Sequence, residues 1–271
     1  MKRIMLAFQF LTIIPIRVRG PISEREIAGS AAFFPIVGVF QGFTAGSGAF
    51  LATKLFPEEL AGGLVILILV LTNGGFHLDG LSDTFDALAV KQSGDDATDI
   101  EKRLSVMKGG SIGAIGVTAI VFDILLKFLL VGTLLKFFQG IASLSLIFLM
   151  PIFSKWAMIP FMYHGTSARR EGLGKIFIDS AGRERFLLST LFLIIFCTVA
   201  SLCLFPRAYR MTMTGLVLFL AAMHYLLSLL SVRFFTSRFG GVTGDHFGAL
   251  NEISEILFLV VAIPWLRLSI S

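Results

Sequence analysis

Charged residues are scarce. They make up 15% of the 271 residues, against roughly 25% in soluble domains. Cysteine is nearly absent. The two present, Cys197 and Cys203, lie in one apolar run and are not neighbours on a helix, which excludes a disulfide framework and a cysteine zinc site. No HExxH, CxxC or GxGxxG fingerprint occurs, nor a GxxxxGK[ST] loop, so zinc peptidases, nicotinamide enzymes and P-loop NTPases lose support. No fixed-period repeat is visible. What fills the chain is apolar. Hydrophobic residues reach 55%, with 28 phenylalanines. Runs near 20 residues recur, each long enough to cross a hydrocarbon core of about 30 Å as a helix. The expected fold is all-α: a polytopic helical membrane bundle of about seven spanning helices, built as one catalytic domain over 1–271. The formal charge of +5 fits basic cytoplasmic loops rather than a nucleic-acid partner.

The runs fall at about 31–54, 60–77, 111–131, 141–162, 186–205, 212–232 and 253–269. The N-terminal MKRIMLAFQFLTIIPIRVRG has a basic start and an apolar core, but no small-residue cleavage site. It reads as an interfacial or re-entrant helix. Ser23 and Glu26 form a candidate capping box. The polar segment 89–110 predicts a short surface helix with an acidic start at Asp95, Asp96 and Asp99 and the apolar stripe Ile100, Leu104 and Met107. Most of the 23 lysines and arginines sit in segments 1–30, 78–110, 164–185 and 233–250, against Lys54, Lys136, Arg207, Arg210 and Arg267 on the other side. That asymmetry places the N-terminus and every motif-bearing loop in the cytoplasm.

The most informative stretch is TNGGFHLDGLSDTFDAL, 72–88. On a helix, Asp79, Asp83 and Asp86 fall within roughly 60° of one another. Like charges at that spacing repel, and acids are costly in a membrane. A bound cation or full solvation resolves the conflict. Hard carboxylate oxygens suit Mg²⁺, usually held by one or two carboxylates together with substrate phosphates. His77 and Asn73 lie beside them, and His77 is a candidate substrate contact.

A second acidic stretch is GGVTGDHFGALNEISEI, 240–256. Asp245 follows a glycine turn, and Asn251, Glu252 and Glu255 share roughly 100° of helix surface. They read as a second metal or acid–base cluster, although an acid here could instead be a packing partner for Lys127 or Lys155. His246, His164 and His224 read as bystanders or packing residues. In ARREGLGK, 168–175, Arg169, Arg170 and Lys175 sit among glycines, suited to phosphate oxygens. In RLSVMKGGSIGAIG, 103–116, Lys108 and the glycine turn could hold an anion at a helix start. Gly74-Gly75 precede Asp79 as Gly240-Gly241 precede Asp245, a faint echo between the halves. Acids and bases converging on one face suit Mg²⁺-assisted attack at phosphorus or an allylic diphosphate.

GGFHLDGLSDTFDAL, ARREGLGK and GGVTGDHFGALNE, with FQFLTIIPI (8–16), FFPIVG (33–38) and MKGGSIGAIG, resemble in order the cobalamin synthase family, the adenosylcobinamide-GDP ribazoletransferases. The similarity runs from about residue 5 to 260. It implies an Mg²⁺-dependent transferase in the inner membrane of a prokaryote, its site facing the cytoplasm. A hydroxyl of α-ribazole, or of its 5′-phosphate, would attack the phosphate joined to cobinamide, and GMP would leave. By the same resemblance Asp79, Asp83 and Asp86 would hold Mg²⁺. Asp245, Asn251 and Glu252 would complete the metal or base set, with Asp83, Asp245 and Glu252 as the catalytic candidates. Arg169 and Lys175 would grip phosphate. Self-association, or association with other cobalamin assembly enzymes, is compatible with this reading. Two positions depart from the family pattern: Ile13 stands where arginine is common, and Gly109 where aspartate is. The rival readings are a UbiA-like prenyltransferase, a phosphatidyl-group transferase and, in another class, an ion-coupled transporter or a scaffold.

Overall fold

The structure is a computed structural model that describes residues 1–138, 140–204 and 207–270. Position 205, where the fifth run is expected to end, lies outside the described residues. Among the described residues no strand forms, as the apolar runs predict. A short amphipathic helix, α1 (Lys2–Leu11), buries Leu6, Ala7 and Leu11 and stops where Thr12 turns extended. Helix α2 (Glu24–Ser30) opens with the expected capping box: Glu26 accepts from the Ser23 N–H at 2.9 Å, and its own N–H donates to Ser23 Oγ. A single turn leads into α3 (Phe34–Ala52), and the two together form one apolar segment from Glu24 to Ala52.

Then come α4 (Glu58–Asn73), α5 (Phe76–Leu88), the surface helix α6 (Asp96–Val106), α7 (Ala114–Phe137), α8 (Ile141–His164), the short α9 (Leu173–Asp179), α10 (Arg183–Leu204), α11 (Arg210–Phe239) and α12 (Gly244–Ile270). Six segments are long and apolar enough to cross a membrane, or seven if the bent pair α4–α5 counts as one span. This matches the expected polytopic bundle. Helix α8 is its axis: 89% of its apolar window is buried, against 22% for α7 and for α10, which leave much of their surface to lipid. Helix α3 lies against α8 through Gly38 and Gly42, where an added Cβ would strike the backbone of Pro151, Ile152 and Phe148. Small residues let two membrane helices approach this closely.

The feature that positions the site is the break between α4 and α5. Gly74 (φ 67°) and Gly75 (φ 74°) are both left-handed, a conformation cheap only for glycine. The Asn73 carboxamide oxygen accepts from the Gly75 N–H at 2.8 Å. The chain turns 89° here, so α5 leaves the direction of α4 and lies across the start of α12. Helix α6 closes over the same end. Arg103 is buried and donates to the Arg238 carbonyl at 2.8 Å. Ile100 rests on Gly240, and Met107 is buried among α8 and α11 residues.

Candidate active site

Helices α5 and α12 meet backbone to backbone. A Cβ at Gly80 would sit 2.5 Å from the Asp245 carbonyl, and one at Gly248 would sit 2.8 Å from the His77 carbonyl. Two glycines therefore bring the first turn of α12 against the Asp-bearing face of α5. Asp79 is exposed and Asp83 half-buried. Asp83 lies in the electrostatic field of the Asp79, Asp86 and Asp245 carboxylates and of the Arg169 guanidinium. Gly80→Ala is expected to force the two helices apart and lower turnover on the order of 10²-fold, since small displacements of reacting groups cost that much. Circular dichroism of the same sample should show unchanged helix content.

The loop carrying Arg169 is stitched to the loop before α12. The Ala168 N–H donates to the Val242 carbonyl at 3.0 Å, and the Val242 N–H to the Thr166 carbonyl at 2.7 Å. Gly241 leaves no room there for a side chain. This pairing delivers Arg169 Nη2 to Asp245 Oδ2 at 2.8 Å, while Arg169 Nε is buried without a partner among the described residues. The glycine echo between the halves has a structural meaning. Gly74 and Gly240 each end a helix in the left-handed conformation, and each turn starts a helix with an aspartate in its first turn.

The remaining expected ligands disperse. The Asp86 carboxylate accepts from the N–H groups of Gly113 (2.6 Å) and Gly116 (2.8 Å). It thus caps α7 and ties α5 to it. Asn251 and Glu252 lie two turns beyond Asp245, about 10 Å along the axis, among buried charges. Lys127 is held by Glu252, by Glu255 at 2.9 Å and by Asp123 at 3.1 Å. Asn251 accepts from Lys155 at 2.7 Å and donates to Glu252 and Glu255 at 3.1 Å each. This cluster shares a small void with Asn73, behind the α4–α5 break, so the packing partnership of the lysines is realised. Asp123 completes it. Its signal in the sequence is an Asp and a Lys four apart inside an apolar run.

Lys175 pairs with Asp179 along α9, and Gly174 packs on Gly244, so the phosphate-suited loop adjoins α12. Lys108 is exposed in the turn before Gly113. His77 is buried, its Nε2 unpartnered among the described residues. His246 stacks on Phe235 at 3.9 Å, and His224 touches the Leu220 and Ser254 carbonyls, both as packing residues. Among the described residues no three His, Cys, Asp or Glu side chains form a ready-made metal cage. The Asp79 and Asp83 carboxylates accept no hydrogen bond and form no ion pair among the described residues, so their hard oxygens are free.

The family described as cobalamin-5-phosphate synthase matches residues 3–263. The chain belongs to that family. A protein of Thermodesulfovibrio yellowstonii named adenosylcobinamide-GDP ribazoletransferase is 36% identical over 263 residues, 96% of this chain and 95% of its own. Proteins of the same name from Clostridium tetani (28% identity, 98% and 97% covered) and Desulfitobacterium hafniense (30% identity, 98% of each) match as fully. No solved structure matches. As a cobalamin-5-phosphate synthase family member, the chain is a helical membrane transferase of cobalamin biosynthesis.

Both departures from the family pattern can be located. The Ile13 N–H donates to the Thr72 carbonyl at 3.1 Å, and its side chain lies over Gly74 at the break. It is 57% exposed, so an arginine would fit there. Gly109 is exposed in the turn that carries Lys108.

Proposed function

We propose that this site transfers the cobinamide-phosphate group of adenosylcobinamide-GDP to a hydroxyl of α-ribazole or its 5′-phosphate. The new bond joins that hydroxyl oxygen to phosphorus, the bond to the GMP oxygen breaks, and GMP leaves. The observation that carries this reading is the meeting of free carboxylates on α5 with the Arg169–Asp245 pair, contributed by opposite halves of the chain. Asp79 and Asp83 would hold Mg²⁺, with substrate phosphates completing its shell. That suits a pair of carboxylates better than a closed protein cage would. When bound, the ion neutralises diphosphate charge.

The chain's own groups do the rest. Arg169 offers a planar fork to phosphate oxygens, and Lys175 and Lys108 add point charges. Asp245 spends Oδ2 on Arg169 and keeps Oδ1 to take the proton of the attacking hydroxyl. Glu252, expected among the catalytic carboxylates, is committed to Lys127 and serves as a support. The lysine and arginine distribution supports a site facing the cytoplasm, and the family resemblance implies the inner membrane of a prokaryote.

The test is a detergent-solubilised preparation given Mg²⁺, adenosylcobinamide-GDP and α-ribazole. GMP release with formation of a cobalamin is expected. Turnover of a prenyl diphosphate in the parallel reaction, without GMP release, would transfer the assignment to prenyl transfer.

A further inference from the structure

A cavity of about 170 Å³ opens beside the carboxylates. Its lining comes from six elements, α5 contributing Phe76 and His77. Phe10 and Leu11 end α1, Phe34 starts α3, Met158 lies on α8, Phe177 on α9, and Phe247 on α12. Three of the rings brace one another edge to face, Phe10 on Phe177 at 5.1 Å and Phe34 on Phe177 at 5.6 Å. Gly174, Gly244 and Gly248 line the cavity without side chains, and exposed Phe76 and Leu173 form its rim. One polar side chain lines it: His77, whose buried Nε2 has no partner among the described residues. His77, Gly174 and Gly244 are sequence neighbours of the groups assigned to the chemistry. A larger apolar groove of about 590 Å³ lies near the far ends of α3 and α8 and is lined by no charged residue.

We infer that the smaller cavity receives the benzimidazole base of the ribazole substrate, with His77 donating to its bare ring nitrogen; this rests on the function proposed above. Size and polarity select the ligand. Drug-sized ligands fill roughly 300–1,000 Å³, so this cavity takes one ring system and not a whole nucleotide. Aromatic walls favour a flat ring packed on edges and faces. A benzimidazole joined to ribose keeps one acceptor and no donor, which one imidazole N–H satisfies. Guanine presents several donors and acceptors, and each one buried unpaired costs about 1–3 kcal/mol. The base of the leaving GMP therefore lies elsewhere.

Equilibrium dialysis of 1,5,6-trimethylbenzimidazole, whose N-methyl stands where ribose is attached, against the detergent-solubilised protein without Mg²⁺ tests the site apart from turnover. Saturable binding is expected, lowered at least tenfold by Leu173→Trp, which fills the rim from an exposed position. His77→Phe should weaken it comparably, and His77→Gln should restore most of it. In steady-state kinetics Leu173→Trp should raise KM for α-ribazole at least tenfold and leave KM for adenosylcobinamide-GDP unchanged. If dialysis finds no binding, or if Leu173→Trp raises KM only for the GDP-bearing substrate, the subsite assignment falls while GMP release by the wild type upholds the function. If the base binds as expected but no GMP is released, the cavity stands as a benzimidazole site and the proposed reaction fails.

Discussion

Asp83→Asn should lower kcat on the order of 10²–10³-fold, the usual scale for removing one preorganised electrostatic group from an active site. The same substitution should hold or slightly raise the melting temperature. The opposite signs follow from its surroundings. The Asp83 carboxylate makes no hydrogen bond or ion pair among the described residues, so the fold loses no contact when one oxygen becomes an amide. It stands among three other carboxylates and one guanidinium, so neutralising it relieves more repulsion than attraction. Half-exposure keeps that relief small, because solvent screens such pairs. A carboxylate kept where it disfavours the fold is retained for something that neutralises it in use, which under the function proposed above is the Mg²⁺–diphosphate complex. The measurement is turnover at saturating Mg²⁺ beside thermal unfolding of the same preparation. Undiminished turnover would sink the metal assignment. A lost fold would show that Asp83 is structural.

Asp86 illustrates why one helical stripe does not make one ligand set. Its spacing from Asp83 is the same feature the sequence offers for all three acids, and the stripe is real. What periodicity cannot show is that the loop from α6 returns and places the N–H groups of Gly113 and Gly116 against this carboxylate. The spanning helices were legible because apolar length is a local property. The capping box was legible for the same reason: Ser23 and Glu26 are three residues apart. The 89° break could be anticipated only as flexibility at Gly74-Gly75, since its direction depends on what α5 lands on. The Arg169–Asp245 pair was represented by two motifs, but their contact depends on the backbone pairing between positions 166–168 and 242, which no periodicity records. The cavity proposed for the base draws His77, Gly174, Gly244 and Phe247 from three of the quoted motifs, but nothing in those motifs shows that they share a wall. Its walls are phenylalanines in a chain with 28 of them, and only the fold distinguishes those few from the rest.

Lys127→Met should remove most of the folded protein. Three buried carboxylates, Asp123, Glu252 and Glu255, surround this one ammonium. Lys155 hydrogen-bonds Asn251, which donates to Glu252 and Glu255, and its charge reaches those acids without touching them. Breaking a buried pair by removing one partner costs about 3–5 kcal/mol, and no water in the hydrocarbon region relieves the stranded acids. With every group ionised, three acids face two lysines. Losing Lys127 takes the cluster from one excess negative charge to two. Glu252→Gln instead balances it and keeps a side chain able to hydrogen bond, so this variant should fold as well as the wild type. The double variant Lys127→Met/Glu252→Gln returns the excess to one and should recover part of the lost yield. Monodisperse yield on size exclusion and the unfolding temperature read these outcomes. Turnover of Glu252→Gln then decides between the two roles open to that residue. If Glu252 supports the break behind α5, turnover stays within several-fold of wild type. If Glu252 takes the proton of the attacking hydroxyl, the variant is stable and inactive, and Asp245 loses the role assigned to it here.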